Sequence, residues 1–223
     1  MAEGHRKRLK ARFLKEGLDG FEDHNALELL TFFSRPLRDT NPIGHALMEK
    51  FGSLSAVFDA PIEALMSVPG VGEQTAILIK LIPEMSRRYL VSRDSVENII
   101  TNSRDAVKYL ESHYIGRVVE TLFMLSIDAK GKLLACTLVE EGSINYVNID
   151  PRKIIEIAIR TNAAQVIVAH NHCGGLALPS EDDVASTIKL KSLLENIGIH
   201  LTDHIIIANG DAVSLADSNL FGT

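Results

Sequence analysis

The chain has 223 residues, 46% of them hydrophobic and 23% charged, which excludes a disordered or low-complexity polymer and allows one large domain or two small ones, each with a core. Two cysteines, Cys136 and Cys173, are too few for a disulfide scaffold, no apolar run reaches the roughly 18 residues of a membrane span, and the opening residues lack a secretory leader's apolar stretch; a cytoplasmic protein is expected. The net charge of −6 falls wholly on residues 91–223, while residues 1–90 balance to zero, so the composition does not promise the several phosphate contacts that strong DNA binding needs.

The first fifteen residues carry Arg6, Lys7, Arg8, Lys10, Arg12 and Lys15 against Glu3 alone. Such a run is more often a solvated helix face than a phosphate-binding edge. The stretches "NALELLTFFS", "IGHALMEKFG", "APIEALMSV" and "EQTAILIKLIPEMSRRYL" have the apolar spacing of helices, punctuated by Pro36, Pro42, Gly52 and Pro61. Residues 1–90 therefore read as an all-α domain. Within it, "SVPGVGEQTA" places Gly70 and Gly72 in a short turn between two helices and resembles a helix-hairpin-helix. Glycines there let the backbone approach a phosphate closely, and amides opening the next helix can donate to it. The competing reading is a plain turn between packed helices, since no Lys or Arg flanks the hairpin before Lys80.

Residues 91–103 are polar and broken and read as a linker. From 104 onward the pattern mixes strands and helices. After the helix "RDAVKYLESHY", "ETLFMLSID" and "KLLACTLVE" flank a hairpin-like turn. "DPRKIIEIAIRTNA" reads as a helix with Asp150 as N-cap and Pro151 at its first position. "AQVIVAH" is a buried strand, "EDDVASTIKLKSLLENIG" a helix with Val184, Ile188, Leu194 and Ile197 toward the core, and "DHIIIANGDAVSLA" a closing hairpin turning at Asn209-Gly210. The expected architecture is two-domain, an all-α domain followed by an α/β domain whose mixed sheet is flanked by helices.

The chemistry concentrates in "VIVAHNHCGGLALPSEDD". His170 and His172, two apart on an extended chain, face one side, and Asp183 follows in the first turn of the next helix. Two imidazoles and one carboxylate leave a fourth coordination position open, as in catalytic zinc sites, where the pKa of water falls to about 7. Taken separately, a His-x-His pair is weak evidence, and Ser180 with Asp183 looks like a capping box. Jointly they form the pattern H-x-H-x7-S-x2-D behind a hydrophobic strand, which is specific.

That pattern matches the metal motif of JAMM (MPN-type) metalloproteases. With "GHRKRLKARFLKEGLDGF", "FGSL", "VPGVG" and "DPRKIIEIAIRTNAAQVIVAHNH", nearly the whole chain resembles the RadC family. The resemblance implies a helix-hairpin-helix region before a JAMM-like domain at 104–223. It also implies one zinc per chain on His170, His172 and Asp183, and hydrolysis of a peptide or isopeptide bond in a protein substrate, with a tie to DNA repair. It further implies a glutamate opening a strand, here Glu120 in "ETLFMLSID", as general base; without the resemblance Glu120 has no more claim than Glu140 or Glu141. Ser180 is then expected to stabilise a developing oxyanion, and Asp203 and His204 to be core polar groups or to orient a ligand. The family's proline after His-Asn-His is Cys173 here, and its Pro-Arg-Glu reads Pro151, Arg152, Lys153. A Cys173 thiolate in the fourth position would make the site structural. Two other readings stand beside the hydrolase. One is a DNA- or nucleoprotein-binding module on a non-catalytic metal scaffold, with Gly70 and Gly72 as contact points. The other is a metal-dependent nuclease.

Overall fold

A computed structural model of the chain describes residues 2–36, 38–93, 99–142 and 149–221. The chain divides into two units, residues 1–86 and 87–223, and the division falls inside helix α6.

The first unit is helical: α1 (Ala2–Glu16), α2 (Asp23–Thr31), α3 (Asn41–Phe51), α4 (Leu54–Asp59), α5 (Ile62–Met66) and the start of α6 (Glu73–Arg93). Its core gathers Leu27, Leu47, Val57, Leu65, Val68, Ala76 and Ile79. Gly44 lets α2 and α3 touch backbone to backbone, since a Cβ there would stand 2.3 Å from the carbonyl oxygen of His24. Helix α4 escapes a periodicity reading because six residues span less than two turns; Ser53 starts it by accepting from the amide of Ala56. The basic run of α1 is partly structural. Arg6 donates to the carbonyls of Phe32 and Arg35 at 2.9 and 3.1 Å, capping the end of α2, and lies 4.1 Å from the centre of the Phe32 ring. Arg12 pairs with Glu16 and lies over Phe21.

Helix α6 runs through Pro83 to Arg93, so residues 91–93, expected in a broken linker, are helical; residues 94–98 lie outside the described residues. A polar composition does not end a helix unless a cap or breaker accompanies it.

The second unit is a five-stranded mixed sheet in the order β2-β1-β3-β4-β5. Its strands are β1 (Thr121–Ile127), β2 (Leu133–Glu141), β3 (Gln165–Asn171), β4 (His200–Ala208) and β5 (Asp211–Ser214). Only β3 and β4 are parallel, joined through α9 (Glu181–Glu195), as a βαβ crossover requires. Helix α7 (Ser103–Tyr114) covers one face, packing Ala106, Leu110 and Tyr114 on Phe123, Leu125, Ile167 and Ile205. Helix α8 (Pro151–Arg160) and α9 cover the other, packing Ile154, Ala158, Leu190 and Leu194 on Leu122, Met124, Val166 and Val168. Asp150 caps α8 by accepting from the amide of Arg152, with Pro151 in the first turn. Asn209 and Gly210, at φ 50° and 82°, make the tight turn between β4 and β5.

Helix α9 sits differently from its apolar pattern. Thr187, Leu190 and Leu194 are buried, while Ile188 and Ile197 are about half exposed. The capping box at Ser180 fixes where the helix begins and so which face meets the sheet, and that face includes a polar residue, Thr187.

Candidate metal centre

Strand β3 is central and buried along its length, and His170 and His172 stand where it leaves the sheet. His170 faces α9 in the same row as Val168, and the loop through Gly174, at φ +72°, returns the chain to Ser180. Ser180 accepts from the amide of Asp183, and its own amide and hydroxyl donate to Asp183 Oδ2 at 2.7 and 2.6 Å. This reciprocal box turns the Asp183 carboxylate back toward the strand end.

The three side chains converge. His170 Nε2 lies 3.0 Å from His172 Nε2 and 3.2 Å from Asp183 Oδ1, and His172 Nε2 lies 3.6 Å from Asp183 Oδ2. A tetrahedral ion with bonds of about 2.0–2.2 Å separates its ligands by about 3.3–3.6 Å, so the two closer contacts must open by a few tenths of an ångström for the three side chains to share one such ion. Donor chemistry fits as well. His172 Nδ1–H donates to the carbonyl of Leu176 at 3.3 Å, which leaves the Nε2 lone pair facing the cluster. Burial pushes the pKa of Asp183 up, but the neighbouring His170 ring and the hydrogen bonds that Ser180 donates outweigh it and hold the carboxylate well below its usual range. Among the described residues this is the one group of three or more such side chains whose ligand atoms meet.

Cys173 stands outside the cluster. Its sulfur accepts from Asn171 Nδ2 at 3.1 Å, because residues 171 and 173 face away from the two histidines. The Ser180 hydroxyl proton is engaged with Asp183, so in this structure Ser180 orients the Asp183 carboxylate.

Glu120 is buried just ahead of β1 and also lies outside the cluster. Leu122, two residues after Glu120, pairs with His170, which brings the chain at Glu120 to the end of the sheet where the histidines stand. Asn171 holds this end of the ladder together: Oδ1 accepts from the amide of Thr121 at 2.8 Å, and Nδ2 donates to the carbonyl of Val119 at 3.2 Å. Sequence reasoning passed over Asn171, whose signal was its place between the two histidines.

Asp203 and His204, adjacent on β4, part to opposite sides. Asp203 accepts from Ser214 Oγ, the amide of Ala216 and the amide of His204, a purely internal role. His204 reaches the site, with Nε2 2.9 Å from His170 Nδ1 and Nδ1 2.5 Å from Thr187 Oγ1. Burial pushes its pKa down to about 3, so the ring is neutral near pH 7.

A family model described as the RadC-like JAB domain matches residues 100–220, which hold every residue of this cluster. The chain belongs to the RadC-like JAB domain family. The UPF0758 protein SPO0054 of Ruegeria pomeroyi is 32% identical over 212 residues, covering 95% of this chain and 94% of that protein. The UPF0758 protein FN0909 of Fusobacterium nucleatum is 29% identical over 227 residues, covering 98% and 97%. The two UPF0758 relatives thus extend over the helical unit as well as the matched domain. Among the described residues no helix is long and apolar enough to cross a membrane.

In the helical unit, Gly70 at φ +86° and Gly72 occupy the turn between α5 and α6. A Cβ on Gly70 would press on Ile43 at 2.9 Å, whereas Gly72 accepts at its carbonyl from the amides of Thr75 and Ala76 as α6 begins. The guanidinium of Arg35 stands beside Gly72, and Lys80 is spent on the carbonyl of Phe58.

Proposed function

We propose that this protein is a zinc-dependent hydrolase of the JAMM type that cleaves a peptide or isopeptide bond. The observation that carries the reading is the convergence of the His170, His172 and Asp183 ligand atoms, which stand 3.0 to 3.6 Å apart, within reach of one ion. Zinc, when bound, supplies Lewis-acid polarisation of a carbonyl and of water near neutral pH. His170, His172 and Asp183 hold it, and Ser180 aims Asp183. Glu120 takes a proton from the attacking water and delivers it to the leaving amine. Ser180 can assist a developing oxyanion only if its proton leaves Asp183 Oδ2.

Elemental analysis of purified protein should give about one zinc per chain, and a chelator should remove both the metal and the cleavage of a quenched-fluorescent library containing main-chain and lysine ε-linked amides. Protein that takes up no divalent metal would end the hydrolase reading. A single cluster among the described residues gives no support to a two-metal nuclease.

The helical unit is proposed to act as a helix-hairpin-helix module touching DNA or a DNA-bound protein at Gly70 and Gly72, supported by the α5–turn–α6 geometry and by Arg35 beside it. Binding to a DNA duplex should then fall steeply with salt. Gly72→Val should weaken it while leaving the fold intact, because a Cβ there has no closer neighbour than Arg35. Salt-insensitive retention argues against phosphate contact.

A further inference from the structure

A histidine binds metal through one nitrogen only if the proton sits on the other. For His172 the carbonyl of Leu176 settles this directly, since a carbonyl only accepts. For His170 it is not settled locally. Its Nδ1 meets another imidazole, His204 Nε2 at 2.9 Å, and either ring can donate to the other. If His204 donated, the proton of His170 would stand on Nε2, in the way of the ion.

The decision is made one bond further out. Thr187 Oγ1 lies 2.5 Å from the backbone carbonyl oxygen of Asp183 and 2.5 Å from His204 Nδ1. Two oxygens that close need a hydrogen between them, and a carbonyl has none to give. The single hydroxyl proton of Thr187 therefore points at Asp183, and its lone pair faces His204. His204 is fully buried between Thr187 and His170 with no carboxylate on its ring, so it carries one proton. That proton sits on Nδ1, and Nε2 becomes an acceptor for His170 Nδ1–H.

We infer that Thr187 and His204 are positioning residues that set the tautomer of His170, so that its Nε2 lone pair faces His172 and Asp183. This deepens the metal-site reading and rests on it. The relay starts on the backbone of Asp183 and ends on His170, so the helix that supplies the carboxylate also dictates which nitrogen the strand presents. Nothing in the H-x-H-x7-S-x2-D pattern includes Thr187 or His204.

The test uses the full chain as wild type, Thr187→Val and Thr187→Ser, with zinc affinity read by competition with a chromophoric chelator and imidazole protonation read by nitrogen NMR on metal-free protein. Valine keeps the shape but removes the acceptor, so zinc affinity should weaken roughly 10- to 100-fold, while serine should stay within about threefold of wild type. In wild type the His204 proton should be on Nδ1, and in Thr187→Val it should move to Nε2. A Thr187→Val affinity within about twofold of wild type overturns the relay. So does a wild-type His204 proton found on Nε2, a readout that does not depend on the valine variant folding. If wild type takes up no zinc, the hydrolase reading fails by itself, and the position of the His204 proton alone decides the relay.

Discussion

Replacing His172 by alanine should lower bound zinc from about one per chain to below about one-tenth, without unfolding the protein. Of the three proposed ligands His172 gives the cleanest test. Its ring is partly exposed, and outside the cluster it makes one hydrogen bond, to the Leu176 carbonyl in an exposed loop. His170 is less suitable, because its loss would strand the buried His204 Nε2 without a donor. Asp183 is less suitable too, because its carboxylate completes the cap of α9. The stability readout follows from linkage. Zinc at about 100 times its Kd should stabilise wild type by about 2.7 kcal/mol, and His172→Ala should not respond. In the absence of metal the variant should lie within about 1 kcal/mol of wild type, since a partly exposed side chain with one long hydrogen bond is removed. A variant that keeps stoichiometric zinc would mean that the ion sits elsewhere.

The sequence disclosed the parts of this site whose spacing is local. His170 and His172 follow from strand alternation, and Ser180 with Asp183 from helix-start chemistry, so four side chains were legible before any fold was known. The hairpin at Asn209-Gly210 and the cap at Asp150 were legible for the same reason: each is determined by a few adjacent residues. What stayed open or hidden depends on contacts distant in sequence; His204 was expected as a core polar group or one that orients a ligand, with no partner named. His204 meets His170 because β4 lies parallel to β3, and Thr187 meets His204 because of the rotation of α9 about its axis. That rotation was itself misjudged when Ile188 and Ile197 were expected inside. An apolar count favours them, but the capping box and the Thr187 bond hold the helix with its polar residue inward and Ile188 half exposed, while Ile197 lies past the helix end at Glu195 and is half exposed as well. Likewise the role of Arg6 cannot be read from a basic run, because the carbonyls it caps belong to another helix.

Glu120→Gln should keep zinc at about one per chain and lower hydrolysis by about 10² to 10⁴, the usual contribution of a general base. The amide is close in shape to the carboxylate, so the buried position is filled, but it cannot take up a proton at neutral pH. Its backbone setting should survive, because Asn171 fixes residues 119 and 121 through main-chain groups that the substitution leaves alone. The informative controls are Glu140 and Glu141, which a reading of the sequence alone could not separate from Glu120. Glu141 pairs with Arg117 and Glu140 with Lys153, both at least partly exposed on the edge strand β2. Such surface pairs contribute about 0–1 kcal/mol each, so Glu140→Gln and Glu141→Gln should leave turnover near the wild-type rate. Three outcomes separate the roles. Zinc retained with turnover lost makes Glu120 the base. Zinc retained with turnover unchanged removes Glu120 from the mechanism. Zinc lost together with turnover makes Glu120 part of what shapes the ligand set, although its carboxylate stands outside the His170, His172 and Asp183 cluster.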